Sequence, residues 1–131
     1  NLVALGVKIA FESDYTAADL KRFIKRLPSD SFGINYDIGN SASLGYEANQ
    51  EFAHYGDRVI NIHVKDRPLG GTTVPLGEGD ADFETVFKNL SEYKYQGNYI
   101  LQTARAAGGR HGEVIGEYLK LINDWISIYE S

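Results

Sequence analysis

With 131 residues, 43% of them hydrophobic and 24% charged, the chain is long enough for one compact domain with a real core. It has no cysteine, which excludes a disulfide framework and any thiolate metal site, and its 13 Lys and Arg form no basic block against a formal net charge of −5, which argues against nucleic acid as a partner. No apolar run is long enough to span a membrane and no secretory pattern opens the chain, so a cytoplasmic location is expected, although the first residue is Asn1 and not Met.

The first β-rich run is Val7–Phe11, and Thr16–Arg26 follows as a helix capped by Thr16 and stopped at Pro28. A second run, Phe32–Tyr36, precedes a shorter helix over Tyr46–Tyr55. The third run is Val59–Val64, after which the Gly-rich stretch Leu69–Asp80 reads as one long loop. Asp82–Tyr93 is the third helix, with Phe83, Val86, Phe87 and Leu90 on one face. The last strand is Tyr99–Leu101, and His111–Tyr129 is the longest helix, its stripe running from Val114 through Trp125 to Ile126. The strands are short and nearly continuous in apolar character, as buried parallel strands are. Strict alternation with helices gives an α/β fold of four βα units with parallel strands. Such a set is either half of a (β/α)8 barrel or an open four-stranded sheet. A half barrel would leave two open sheet edges and an apolar inner face.

Each strand ends on a polar residue able to bind a metal: Glu12, Asp37, His63 and Gln102. In a parallel fold all four lie at the carboxyl edge of the sheet, where ligands bind. Two carboxylates, an imidazole and an amide oxygen suit a divalent cation such as Mn²⁺, Mg²⁺, Co²⁺ or Zn²⁺. Such a cation would grip adjacent oxygens of a hydroxy-carbonyl compound and stabilise an enediolate, with Glu12 as the base beside the carbonyl. Asp37 could equally be a loop cap, and His63 a satisfied core histidine. Asn40 is either a contact to substrate hydroxyls or a turn residue. Lys65, Arg67 and Arg105 are phosphate or sugar contacts, or else surface salt bridges. Glu78 either orders its loop or reaches the site, and His54 and His111 read as surface residues.

The strings Val7-Lys8-Ile9-Ala10-Phe11-Glu12, Tyr36-Asp37-Ile38-Gly39-Asn40, Ile62-His63-Val64-Lys65-Asp66, Pro75-Leu76-Gly77-Glu78-Gly79-Asp80 and Tyr95-Gln96-Gly97-Asn98-Tyr99-Ile100-Leu101 carry a family resemblance. In order and spacing the chain resembles the C-terminal half of a xylose-isomerase-like TIM barrel, in the sugar-phosphate isomerase/epimerase branch, and among its members the hexulose-phosphate 3-epimerases. The resemblance implies that residues 1–131 are strands 5–8 and their helices. It implies a divalent-metal-dependent isomerase or epimerase of a sugar or sugar phosphate, in which Glu12 binds metal and exchanges the substrate proton and Asp37 and His63 are further ligands. Gln102 stands where the family usually has a second glutamate. An amide can bind metal through its oxygen but cannot serve as the opposite-face acid/base. One-base chemistry therefore stays open, including metal-dependent dehydration of an inositol-derived ketone. So does a non-catalytic half barrel that needs a homo-oligomer or the missing N-terminal half.

Overall fold

The computed structural model describes residues 2–129. Strand β1 spans Ile9–Phe11, β2 Phe32–Asp37, β3 Val59–Val64 and β4 Asn98–Leu101. Helix α1 spans Ala17–Ile24, α2 Ile38–Leu44, α3 Ala48–Tyr55, α4 Phe83–Glu92 and α5 His111–Tyr129. The four strands form one sheet in the order β1-β2-β3-β4, parallel throughout, and each is followed by helix. This is a partial (β/α) barrel with β1 and β4 as its edges. Among the described residues no helix is long and apolar enough to cross a membrane.

Helix α2 has no counterpart in the sequence reading. Its sequence, Ile-Gly-Asn-Ser-Ala-Ser-Leu, is poor in strong helix formers. It forms because the Asp37 side chain accepts the Asn40 amide and caps its first turn. The capping residue is also the last residue of β2, so strand end and helix start coincide.

The core lies between sheet and helices. Ile34 and Tyr36 of β2 and Ile62 and Val64 of β3 are all at most 3% exposed, packed with Leu20, Ile24, Phe52, Phe87 and Leu90. Helix α5 joins through Trp125, which stacks on Phe83 at 4.8 Å and meets Phe87 at 5.3 Å. The Arg58 guanidinium closes the turn between α1 and β2 by donating to the carbonyls of Ile24, Leu27 and Phe32.

Side chains alternate along a strand, so the residues between these core positions face the other way. That inner face carries Glu12 beyond β1, Asn35 and Asp37 on β2, Asn61 and His63 on β3, and Gln102 beyond β4. The sequence led us to expect an apolar inner face; the structure gives a largely polar one. Its exposed apolar member is Ile100 of β4, 46% exposed, and further apolar exposure lies at the two edges. Val7 and Ile9 are 46% and 39% exposed beside β1, and Ile115 and Leu119 of α5 are 43% and 52% exposed beside β4.

Candidate metal centre and its cationic rim

Glu12 follows β1, Asp37 closes β2 and His63 is the penultimate residue of β3, so parallel register brings them to one edge. Asp37 and His63 are direct register partners. His63 Nδ1 lies 3.3 Å from Glu12 Oε2 and 3.7 Å from Asp37 Oδ2. One donor atom from each of the three residues falls within 4.8 Å of the other two. Burial is graded: the Asp37 side chain is 1% exposed, His63 22% and Glu12 42%, so the cluster opens to solvent on the Glu12 side. Two carboxylates and an imidazole converging around one point, with one side open, fit a hard or borderline divalent cation that keeps a site for an exogenous oxygen.

The two oxygens of Asp37 have different surroundings. Oδ1 accepts the Asn40 amide at 2.8 Å and caps α2, while Oδ2 faces His63 and Lys65. The loop after Glu12 is pinned by the Tyr46 hydroxyl, which donates to the Asp14 carbonyl.

A cationic rim stands beside the cluster. Lys65 Nζ donates to Asp37 Oδ2 at 3.3 Å, Asn40 Oδ1 at 3.0 Å and Gln102 Oε1 at 3.4 Å. Its stem passes over Gly39, where a Cβ would come within 2.8 Å of Lys65 Cγ, so α2 admits no side chain at that position. Arg67 donates to Asn40 Oδ1 at 2.7 Å and clamps the Gly71 carbonyl through Nε and a terminal nitrogen. Asn40, Lys65, Arg67 and Gln102 are thereby brought together, and Gln102 turns its oxygen toward Lys65. Arg105 is placed apart: it is exposed and lines a cavity of about 450 Å³ with Thr103, His111 and Ile115.

Several structural partners of the site escaped the sequence reading. Asp66 is fully buried, and its carboxylate accepts the backbone amides of Gly77, Gly79 and Ala81, which ties down the Gly-rich loop behind Arg67. A Cβ at Gly79 would lie 2.2 Å from Asp66 Oδ1, so this lock requires glycine there. Glu78 is exposed and does not perform this role. Asn35 donates to Glu12 Oε2 at 2.6 Å and is held by Asn61 at 2.7 Å. Its signal was available: Gly33, Asn35 and Asp37 alternate with Ile34 and Tyr36, which puts Asn35 on the face of Asp37. On the opposite face Glu51 is 3% exposed and accepts the hydroxyls of Tyr36, Ser41 and Tyr55. Burial raises the Glu51 carboxyl above its ordinary value, against the lowering effect of those hydrogen bonds, and pushes the Tyr36 and Tyr55 phenols well up. His54 and His111 lie at helix ends and are not buried, as read from the sequence.

The family described as xylose isomerase-like TIM barrel matches residues 2–124. An L-ribulose-5-phosphate 3-epimerase of Salmonella paratyphi A is 33% identical over 72 residues, covering 54% of this chain and 25% of that protein. An uncharacterised protein of Methanocaldococcus jannaschii is 25% identical over 93% of this chain and 46% of its own length. Among solved structures, a xylose isomerase domain protein from Planctomyces limnophilus superposes with a TM-score of 0.77 at 23% identity, over 93% of this chain and 48% of that one. The chain thus spans a quarter to a half of the length of the curated relatives it matches.

Proposed function

Because this chain belongs to the xylose isomerase-like TIM barrel family, we propose that it is the C-terminal half, strands 5–8, of a divalent-metal-dependent isomerase or epimerase acting on a sugar or sugar phosphate. The observation that carries the reading is the convergence of Glu12, Asp37 and His63 from three successive strands to within 4.8 Å. A cation held by these residues would supply electrophilic stabilisation to a hydroxy-carbonyl group. Glu12, the most exposed of the three, removes the proton from the carbon beside the carbonyl. Lys65 and Arg67, held through Asn40, face the charge that develops on the substrate oxygens or on a phosphate. Arg105, in its separate cavity, would meet a more distant part of a longer substrate.

Gln102 restricts the chemistry. Its amide neither takes nor gives a proton at any accessible pH, so the second face of the substrate has no carboxyl partner at this position. One-base proton transfer between adjacent carbons is the reaction these residues serve best. A second reading, dehydration of an inositol-derived ketone, also needs only one base and is favoured by the same residue.

Four further βα units are needed to close the barrel. The apolar edges at Val7 and Ile9 and at Ile115 and Leu119 are the surfaces they would cover, supplied by a preceding half of the polypeptide or by a second copy. Mass measurement in solution separates a monomer from a dimer. The functional test is solvent deuterium wash-in at the carbon beside the carbonyl, over a panel of ketose phosphates with Mn²⁺ and the full-length protein. Exchange supports isomerase chemistry; its absence from every substrate overturns it. An enone absorbance from an inositol-derived ketone would instead support the dehydratase reading.

A further inference from the structure

We propose that Asn35 is a positioning residue whose side-chain amide, locked by Asn61, fixes the orientation of Glu12 and the tautomer of His63 for cation binding. The inference rests on the reading of Glu12 and His63 as metal ligands. Asn35 sits in the middle of β2 and is 8% exposed. A buried amide there is costly unless its polar atoms are paired.

Both ends of the amide are committed. Asn35 Oδ1 accepts from Asn61 Nδ2 at 2.7 Å. Asn35 Nδ2 donates to Glu12 Oε2 at 2.6 Å and stands 3.2 Å from His63 Nδ1. The Glu12 contact decides which way the Asn35 amide is turned, because an ionised carboxylate oxygen only accepts and requires the NH₂ on its own side. The nitrogen must then face Glu12 and His63.

An amide N–H can point at an imidazole nitrogen only where that nitrogen carries its lone pair. The His63 proton is accordingly assigned to Nε2, the tautomer in which Nδ1 accepts from Asn35 at 3.2 Å. Nδ1 is the nitrogen that faces Glu12 Oε2 at 3.3 Å and Asp37 Oδ2 at 3.7 Å. His63 Nδ1, Glu12 Oε2 and Asp37 Oδ2 thus converge, with Asn35 and Lys65 donating to the two carboxylate oxygens, an arrangement a cation relieves.

The backbone makes this arrangement possible. Asn35 and Asn61 are register partners across β2 and β3, directly after the register shift at Ile34 and Asn35. A second amide acts on the other oxygen of the same carboxylate: Asn40 Nδ2 donates to Glu12 Oε1 at 2.9 Å, and its own oxygen is held by Lys65 and Arg67. Glu12 is the most exposed member of the cluster, yet both its oxygens are fixed. Partners of this kind set ligand geometry, and their loss weakens metal binding by about 10–100-fold.

The experiment uses the full-length protein and Mn²⁺ alone, with free Mn²⁺ followed by electron paramagnetic resonance and the His63 tautomer by ¹⁵N resonances of the imidazole. Asn35→Ala should weaken binding about tenfold or more and populate both His63 tautomers. Asn61→Ala, which leaves the Asn35 donor in place but unlocked, should shift both readouts in the same direction by a smaller factor and serves if Asn35→Ala fails to fold. Asn98→Ala, in the same cross-strand row but outside the amide chain, should leave both readouts unchanged. If the parent binds Mn²⁺ and the Asn35 and Asn61 variants match it in affinity and tautomer, the positioning role is wrong while the metal reading stands. Equal weakening in Asn98→Ala would also overturn it. A parent that binds no Mn²⁺ overturns the metal reading and this inference together.

Discussion

Tyr36 and Asp37 are neighbours on β2, yet they serve carboxylate clusters on opposite faces of the sheet, and the two clusters are built on different principles. On the helix side Glu51 is buried among the hydroxyls of Tyr36, Ser41 and Tyr55, with no Lys or Arg among its hydrogen-bond partners. On the inner side Asp37 and Glu12 face an imidazole, an ammonium and two amides, and the cluster opens to solvent. Three hydroxyl donors satisfy the first carboxylate and leave no vacancy for a ligand. The second cluster also has a donor for each carboxylate oxygen, but it gathers two carboxylates and an imidazole at the strand ends, open to solvent on the Glu12 side. The comparison sets a carboxylate enclosed among hydroxyls against carboxylates that converge on an imidazole at an open edge.

The widest separation should come from removing one carboxylate on each side. Glu12→Gln is expected to lower proton exchange by about 10²–10⁴-fold, while urea unfolding moves by no more than about 0.5 kcal/mol because the residue is exposed. Glu51→Ala should do the reverse. It leaves three buried hydroxyls without their acceptor and should cost about 3 kcal/mol of stability, with Mn²⁺ affinity unchanged in the fraction that remains folded. A Glu51 variant that lost metal binding without loss of stability would erase the distinction.

How far the sequence anticipated each side follows from the same division. The strands and the trio Glu12, Asp37 and His63 were legible because a polar residue ending an apolar run is a strong local signal, and parallel topology does the rest. Asn35 was less visible because it interrupts a strand instead of ending one. Glu51 was invisible: an acidic residue in a short helix reads as solvated, and only the packing of α3 on β2 shows that it faces Tyr36. Asp66 was hidden for a related reason, since its partners are backbone amides some 11–15 residues away, which carry no side-chain signature. Helix α2 was missed because its start signal, Asp37, was already assigned to the end of a strand.

A smaller effect tests the ammonium that marks the inner cluster. Lys65 lies 3.3 Å from Asp37 Oδ2 and competes with a cation for the same oxygen. Lys65→Met should therefore raise Mn²⁺ affinity by about fivefold, the scale of one partly exposed charge interaction. Turnover should fall in the same variant, because the group facing the substrate oxygens is gone. Calorimetric Mn²⁺ titration set beside the exchange rate checks the opposed signs. If both fell, Lys65 would be a support for the metal cluster and not a rim around it.

The finest test is the pH dependence of stability, to which Glu51 adds a slope of defined sign. Burial raises its folded-state pKa above the ordinary 4.5, so the folded chain holds that proton more tightly than the unfolded chain does. The resulting stabilisation is fully present below the unfolded value and is lost as pH rises through the folded one. Glu51→Gln keeps the size of the side chain and an acceptor for the hydroxyls but has no proton to lose. Urea midpoints measured from about pH 4.5 to 8 should fall more steeply with pH in the parent than in the variant, the gap opening between the unfolded value and the folded-state pKa and staying constant above it. Parallel curves would mean that the three hydroxyls stabilise the charged form enough to cancel the effect of burial. The contrast between the two clusters would then rest on solvent access alone.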